Sequence, residues 1–249
     1  MAWLVRLSPD GDAELVISEL WDLGTSGVAE AGGSDGSKVL IAGFDAESDA
    51  VAAAARFDGT VERYDPDVWI PPEPRDVAVG DHTLRITPGR AFGHGEHPTT
   101  RLLLDALVAR PPTSAVLDVG CGTGVLSIAA AVLGATSVTA VDIDAEAVEA
   151  TLANARDNAA LATVPITVEL GGPPDGVRFA TLVANLLVAD LRRAARGIES
   201  ALGTDAGSRL LVSGFLEHQE AEVQMLFPDL EVAEQWRSGE WVALDLRRR

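Results

Sequence analysis

Residues 115–124 constrain this chain more than any other stretch. Ala115-Val116-Leu117-Asp118-Val119 is an apolar, β-branched run of strand length that passes directly into Gly120-Cys121-Gly122-Thr123-Gly124. A helical pattern starts at Val125. Strand, glycine turn and helix in immediate succession suit an open parallel α/β sheet, where ligands lie at the carboxyl ends of strands beside a topological switch point. Glycines there let the backbone approach a ligand with no Cβ in the way. The next strand, Val138-Thr139-Ala140-Val141, ends on Asp142, whose carboxylate can accept from both hydroxyls of a ribose.

The surrounding pattern agrees. Short apolar runs at 115–119, 138–141, 166–170, 181–184 and 209–213 lead into helical segments at 124–133, 145–158, 187–200 and 217–226. This alternation predicts a parallel sheet covered on both faces. Runs at 230–236 and 241–246 around Ser238-Gly239 predict a closing antiparallel hairpin, for seven strands in all. The fold class expected is therefore α/β, a Rossmann-like seven-stranded sheet with a C-terminal antiparallel hairpin.

The first 65 residues read differently. Strand candidates at 3–7, 26–30, 39–44 and 60–64 alternate with helices at 13–23 and 46–56 in the order β-α-β-β-α-β, which predicts a small ferredoxin-like α+β domain. Prolines 66, 71, 72 and 74 mark a stiff spacer. The expected division is a small substrate-recognition domain over 1–65, a proline-rich linker over 66–80 and a catalytic domain over 81–249.

The ligand can be narrowed by spacing and charge. A dinucleotide fingerprint places its third glycine at the sixth position of G-x-G-x-x-G. Here that position is Val125, and the third glycine comes one residue early, at Gly124. Asp118, two residues before the first glycine, would repel a pyrophosphate. S-adenosylmethionine carries a sulfonium and an ammonium and no phosphate, so Asp118, Gly120, Gly122 and Asp142 fit that methyl donor better than a nicotinamide dinucleotide. Cys121 has no basic neighbour in sequence and reads as a small residue in a tight turn.

Composition limits the partners. A net charge of −19, from 38 acidic and 19 basic residues, argues against direct nucleic-acid binding and favours a basic protein partner. The single cysteine suits a reducing cytosol and excludes cysteine-rich metal sites, so no metal is expected. No run approaches the ~20 apolar residues of a membrane span. Residues 1–6 lack the pattern of a secretory leader, and the expected location is cytoplasmic.

Thr87-Pro88-Gly89-Arg90-Ala91-Phe92-Gly93-His94-Gly95-Glu96-His97-Pro98-Thr99-Thr100 makes the reading more specific. Its two halves predict a turn and then a helix over 101–108 capped by Thr99 or Thr100. The segment resembles the P-G-x-A-F-G-T-G-x-H-P-T-T motif of the ribosomal protein L11 methyltransferase family. Val183-Ala184-Asn185-Leu186-Leu187 and Leu211-Val212-Ser213-Gly214-Phe215-Leu216 resemble that family's V-A-N-I-L and L-S-G-I-L segments. The likeness runs from about residue 84 to the end. It implies donor contacts at Thr100, Gly120, Asp142 and Asn185, with Asn185 as the catalytic residue that orients the nucleophilic nitrogen. It also implies that the partner is ribosomal protein L11. His94 stands where the family has threonine and Arg90 where it has an apolar residue. The N-terminal region is shorter than the family's recognition domain, and its tryptophan-rich connecting segment is missing.

Methyl transfer from a sulfonium is an in-line displacement whose main requirement is proximity. Desolvation beside a cation lowers the pKa of a lysine amine, so no dedicated base is required, though His94 and His97 could relay a proton. Methyltransferases acting on planar amides or adenine carry Asn-Pro-Pro-aromatic where this chain has Asn185-Leu186-Leu187-Val188. The expected acceptor is therefore an aliphatic amine, a lysine side chain or a protein N-terminus. Two alternatives stay open: another lysine protein, such as an electron-transfer flavoprotein subunit, and a non-catalytic module that only binds the donor.

Overall fold

A computed structural model describes residues 2–9, 13–32, 38–64, 74–88 and 95–248. The chain divides into two compact units, Met1–Pro71 and Pro72–Arg249. Residues 33–37, most of the proline-rich spacer, and Arg90 and His94 lie outside the described residues.

The first unit runs β1 (Ala2–Leu7), α1 (Ala13–Asp22), β2 (Gly27–Gly32), β3 (Lys38–Phe44), α2 (Glu47–Phe57) and β4 (Thr60–Tyr64). Its sheet has the order β2-β3-β1-β4 with every neighbouring pair antiparallel, the connectivity of a ferredoxin-like sheet. Period-two alternation turns Val5, Leu7, Leu40, Ala42 and Phe44 to one face, where Ile17 and Leu20 of α1 and Ala50, Ala53 and Ala54 of α2 cover them. Gly24, at φ 85°, takes the left-handed conformation that ends α1. Asp58 does the same for α2 at φ 51°.

The second unit opens with a hairpin, β5 (Arg75–Val79) and β6 (His82–Ile86), turned at Gly80-Asp81 with Gly80 at φ 56°. Arg75–Val79 is thus a strand where the spacer was expected. The prolines drew attention away from the alternation of Val77 and Val79 with Leu84 and Ile86, all four of which are buried.

Next come α3 (Pro98–Ala109), β7 (Val116–Val119), α4 (Val125–Leu133), β8 (Val138–Asp142), α5 (Ala145–Asp157), β9 (Ile166–Leu170), β10 (Thr181–Asn185) and α6 (Val188–Ala201). After β11 (Arg209–Leu216), a 3-10 turn at Glu217–Gln219 leads to α7 (Glu220–Leu226) and the hairpin β12 (Leu230–Ser238) and β13 (Trp241–Arg248). The seven-stranded sheet has the order β12-β13-β11-β10-β7-β8-β9. β7 to β11 pair in parallel; β13 joins β11 antiparallel and β12 joins β13. The α/β sheet and closing hairpin expected from the sequence are both present. β7 and β10 are entirely or almost entirely buried, because helices cover both faces. Strand order reverses between β7 and β10, and this switch point fixes where a ligand can enter. Among the described residues no helix is long and apolar enough to cross a membrane.

Candidate active site

At the switch point the chain leaves β7 through three glycines with positive φ: Gly120 at 75°, Gly122 at 54° and Gly124 at 81°. The loop is pinned by Gly120 N and Cys121 N donating to Val141 O at 2.8 and 3.1 Å, and by Gly124 N donating to Cys121 O at 2.7 Å. A Cβ on Gly120 would stand 2.4 Å from Leu186 Cδ2, so the leucine after Asn185 packs into the space a side chain would fill.

Asp142, at the end of β8, accepts from Gly122 N at 3.0 Å and from Asp144 N at 3.0 Å. These bonds hold the carboxylate beside the glycine loop, and each oxygen keeps a further lone-pair direction. Asp144 in turn caps α5 by accepting from Glu146 N at 2.9 Å. Ile143 between them is 83% exposed, an apolar side chain left open next to the acid.

Asp118 is buried on β7. Ser127 of α4 donates to its Oδ2 at 2.5 Å, while Oδ1 is buried without a partner among the described residues. Burial pushes its carboxyl up from 3.8 to about 7, the Asp142 charge adds to this, and the Ser127 hydrogen bond opposes it. An uncompensated buried carboxylate facing a glycine loop is a site that gains from an incoming cation.

Asn185 ends β10 level with the start of the glycine loop, since Ala184 pairs with Val119. Its Nδ2 donates to Thr100 Oγ1 at 3.0 Å, and its Oδ1 is buried and unpartnered among the described residues. Buried polar atoms in native proteins are almost always satisfied, so this oxygen points to a group the protein expects to receive. Six residues named from the sequence thus converge on one end of one sheet: Thr100, Asp118, Gly120, Gly122, Asp142 and Asn185.

The helix cap differs from expectation. α3 begins at Pro98, and its N-cap is His97, not Thr99 or Thr100. Proline at the first helical position loses nothing by lacking an N–H, and His97 Nδ1 accepts from Thr99 N at 3.3 Å and contacts Thr99 Oγ1 at 2.7 Å. The His97 ring is buried edge-on to Trp241, with centroids 5.0 Å apart. That setting holds a helix end; it does not present a base to solvent. Cys121 is equally occupied: Thr151 Oγ1 lies 3.2 Å from its Sγ, and burial together with the Asp118 and Asp142 charges pushes the thiol up to about 12.

Sequence reasoning missed the residues behind the loop. Leu186 N donates to Ser213 O at 3.1 Å, and Gly214, at φ 99°, lies so close that a Cβ would be 2.3 Å from Leu186 O. A glycine inside an apolar strand was the available signal, and β11 does shift register between Val212 and Phe215. From α5, Thr151 Oγ1 donates to Gly122 O at 2.9 Å and Asn154 Nδ2 to Thr123 O at 2.9 Å. Polar residues at helical spacing on the buried side of a helix were the trace these left.

Comparison with known proteins agrees with this geometry. A family model described as ribosomal protein L11 methyltransferase (PrmA) matches residues 62–249. A ribosomal protein L11 methyltransferase of Geobacter sp. (strain M21) is 43% identical over 178 residues, covering 68% of this chain and 56% of that protein. One from Laribacter hongkongensis (strain HLHK9) is 44% identical over 164 residues, 64% of this chain and 53% of that protein. The chain therefore spans little more than half the length of these relatives. The crystal structure of a ribosomal protein L11 methylase from Lactobacillus delbrueckii subsp. bulgaricus shares the fold, with a TM-score of 0.58 at 24% identity over 70% of this chain and 98% of that one. On the extent of the family match and the identity to its members, the chain belongs to the ribosomal protein L11 methyltransferase family.

Proposed function

We propose that this chain transfers methyl groups from S-adenosylmethionine to amino groups of a protein, lysine side chains or an N-terminus, and that ribosomal protein L11 is the substrate. The observation that carries the reading is the buried, unpartnered Asn185 Oδ1, held beside the glycine loop by the Asn185 hydrogen bond to Thr100. An acceptor fixed there can take a hydrogen bond from an attacking amine and aim its lone pair. The family of the chain and the names of its relatives support the substrate.

The residues present fit the donor. Asp118 offers an unsatisfied buried carboxylate oxygen to a cationic group, and Asp142 offers its free lone pairs to ribose hydroxyls. Ile143 offers an apolar surface to a purine face. Gly120 and Gly122 form the turn that presents the loop backbone to the donor, with Leu186 packed where a Gly120 side chain would stand. Thr100 contributes by fixing the Asn185 amide. When bound, S-adenosylmethionine supplies a methyl group on a sulfonium, open to in-line displacement. The chain's own part is to exclude water and hold the amine in line. Desolvation in the same place lowers the ammonium pKa from its ordinary value of about 10.4, which yields the neutral nucleophile without a dedicated base.

A second substrate reading has one observation in its favour: the family match begins at residue 62 and leaves most of the first unit outside it. We propose that this unit, over about residues 1–65, is the recognition domain, with residues 66–74 as its connection to the catalytic domain, β5 marking where the latter begins; another lysine-bearing protein, such as an electron-transfer flavoprotein subunit, is then the alternative substrate. Incubation with labelled donor and each purified candidate tests both. Incorporation into L11 that disappears in Asp142→Ala is expected; incorporation only into the other protein overturns the L11 assignment. Donor binding with incorporation into neither reduces the chain to a non-catalytic donor-binding module.

A further inference from the structure

The buried side of α5 carries Thr151, Asn154 and Asn158, each no more than 3% exposed. Apolar residues would normally fill such a stripe. Burying two carboxamides is favourable only if their polar atoms are satisfied, and here they are.

Asn158 and Asn154 treat β6 as a neighbouring strand would. Asn158 Oδ1 accepts from Arg85 N at 2.9 Å and its Nδ2 donates to Arg85 O at 2.8 Å. One helical turn earlier, Asn154 Oδ1 accepts from Thr87 N at 2.9 Å and its Nδ2 donates to Thr87 O at 3.2 Å. The two amides therefore satisfy both backbone groups of Arg85, in β6, and of Thr87, the residue just after it.

They differ in one respect. The second Nδ2 proton of Asn158 goes to its own helix, at Asn154 O, 2.8 Å away. That of Asn154 goes to Thr123 O in the glycine loop at 2.9 Å. Thr151 holds the adjoining carbonyl, Gly122 O, from the same helix. With these two carbonyls directed into α5, the peptide planes of the loop are fixed. The plane just before these, which carries the Gly122 N–H that meets Asp142, is held at its own carbonyl by Gly124 N on Cys121 O.

We propose that Asn154 is a positioning residue for the donor site, locking the glycine loop to α5 and β6 so that the loop backbone and Asp142 are preformed for the donor. The proposal rests on the reading of this loop as the donor site. Asn158 supplies the matched control: the same side chain one turn on, at the C-cap of α5, with a pair of bonds to Arg85 equivalent to those of Asn154 to Thr87 and with its remaining proton on Asn154 O instead of the loop.

Donor affinity measured by calorimetry with S-adenosylmethionine, beside thermal stability, tests this in the full chain. Asn154→Ala is expected to weaken donor binding about tenfold or more through misplacement of the loop. Asn158→Ala is expected to lose comparable melting temperature and keep its donor affinity within about twofold. Asn154→Asp retains the acceptor toward Thr87 N, loses the donor toward Thr123 O, and serves in place of the alanine variant if that is recovered unfolded; it too should bind weakly. Equal loss of affinity in the Asn154 and Asn158 variants overturns the proposal, as does unchanged affinity in both Asn154 variants. Asp142→Ala separates this from the underlying reading. If the wild type binds the donor and Asp142→Ala does not, an unaffected Asn154 variant refutes only the positioning role; if Asp142→Ala binds like the wild type, the donor-site reading itself fails.

Discussion

Asp118 should make donor binding depend on pH in a way that ordinary carboxylates do not. In the unliganded protein, burial raises its carboxyl to about 7, so near neutrality half the molecules hold a neutral group there. For a raised carboxylate the neutral form is the one the fold prefers. The associated stability is fully present below 3.8 and is lost as pH climbs through about 7. The interval between those values, at about 1.4 kcal/mol per unit, makes the ionised Asp118 cost about 4 kcal/mol in the empty protein. A cation beside Oδ1 reverses the preference, so donor binding must expel the proton. The apparent Kd for S-adenosylmethionine should then rise about twofold at pH 7, about tenfold at pH 6 and about a hundredfold at pH 5, relative to the limit in which Asp118 is fully ionised. The donor's α-amino group, with a pKa of about 7.7–8.0, stays protonated below pH 7 and does not blur this range. Asp118→Asn should bind about ten- to a hundredfold more weakly at pH 8 for loss of a charge-assisted contact, with little dependence on pH below 7. Calorimetry across pH 5–8 in buffers of different ionisation enthalpy reads both the affinity and the released proton. A wild-type Kd that changes less than about twofold between pH 5.5 and 7.5, or a variant that keeps the wild-type slope, would refute the linkage.

Two further outcomes follow from the packing behind the loop. Gly214→Ala places a Cβ 2.3 Å from Leu186 O at φ 99°; strain and overpacking together should cost about 3 kcal/mol or more and lower Tm by several degrees, and displacement of Leu186 should weaken donor binding through Gly120. His97→Ala removes the α3 cap and a buried aromatic contact, so stability should fall by about 1–2 kcal/mol. The pH profile of the remaining methyl transfer should keep its wild-type shape, and loss of a limb of that profile would instead assign His97 to proton transfer.

Much of this molecule was readable from local chemistry. Alternation of period two in the first unit, with helices of alanine and leucine spacing between, predicts four strands and two helices where they stand. The parallel strands of the second unit were legible because burial on both faces leaves unbroken apolar runs, as in Val116–Val119. Gly120, Gly122 and Gly124 announced a loop of positive φ, and Asp142 was marked by its place after Val141. The hairpin of β5 and β6 went unread because prolines at 71, 72 and 74 outweighed a modest alternation beyond them. The α3 cap was misplaced by one turn because histidine is an uncommon acceptor for a helix N-terminus, and serine or threonine is the usual choice.

Sequence alone determined the class of fold and the place of the glycine loop and its carboxylates, since glycine freedom, carboxylate position and strand burial are properties of short segments. Tertiary structure decided which atoms of those segments are left unsatisfied. That Asp118 Oδ1 and Asn185 Oδ1 are buried without partners depends on helices and strands far apart in the chain closing over them. That Asn154 serves the loop and Asn158 does not depends on where α5 passes the glycine loop on its way past β6. Hydrogen bonds of 3 Å are set by packing across 30 to 85 residues of sequence, and no local pattern encodes them.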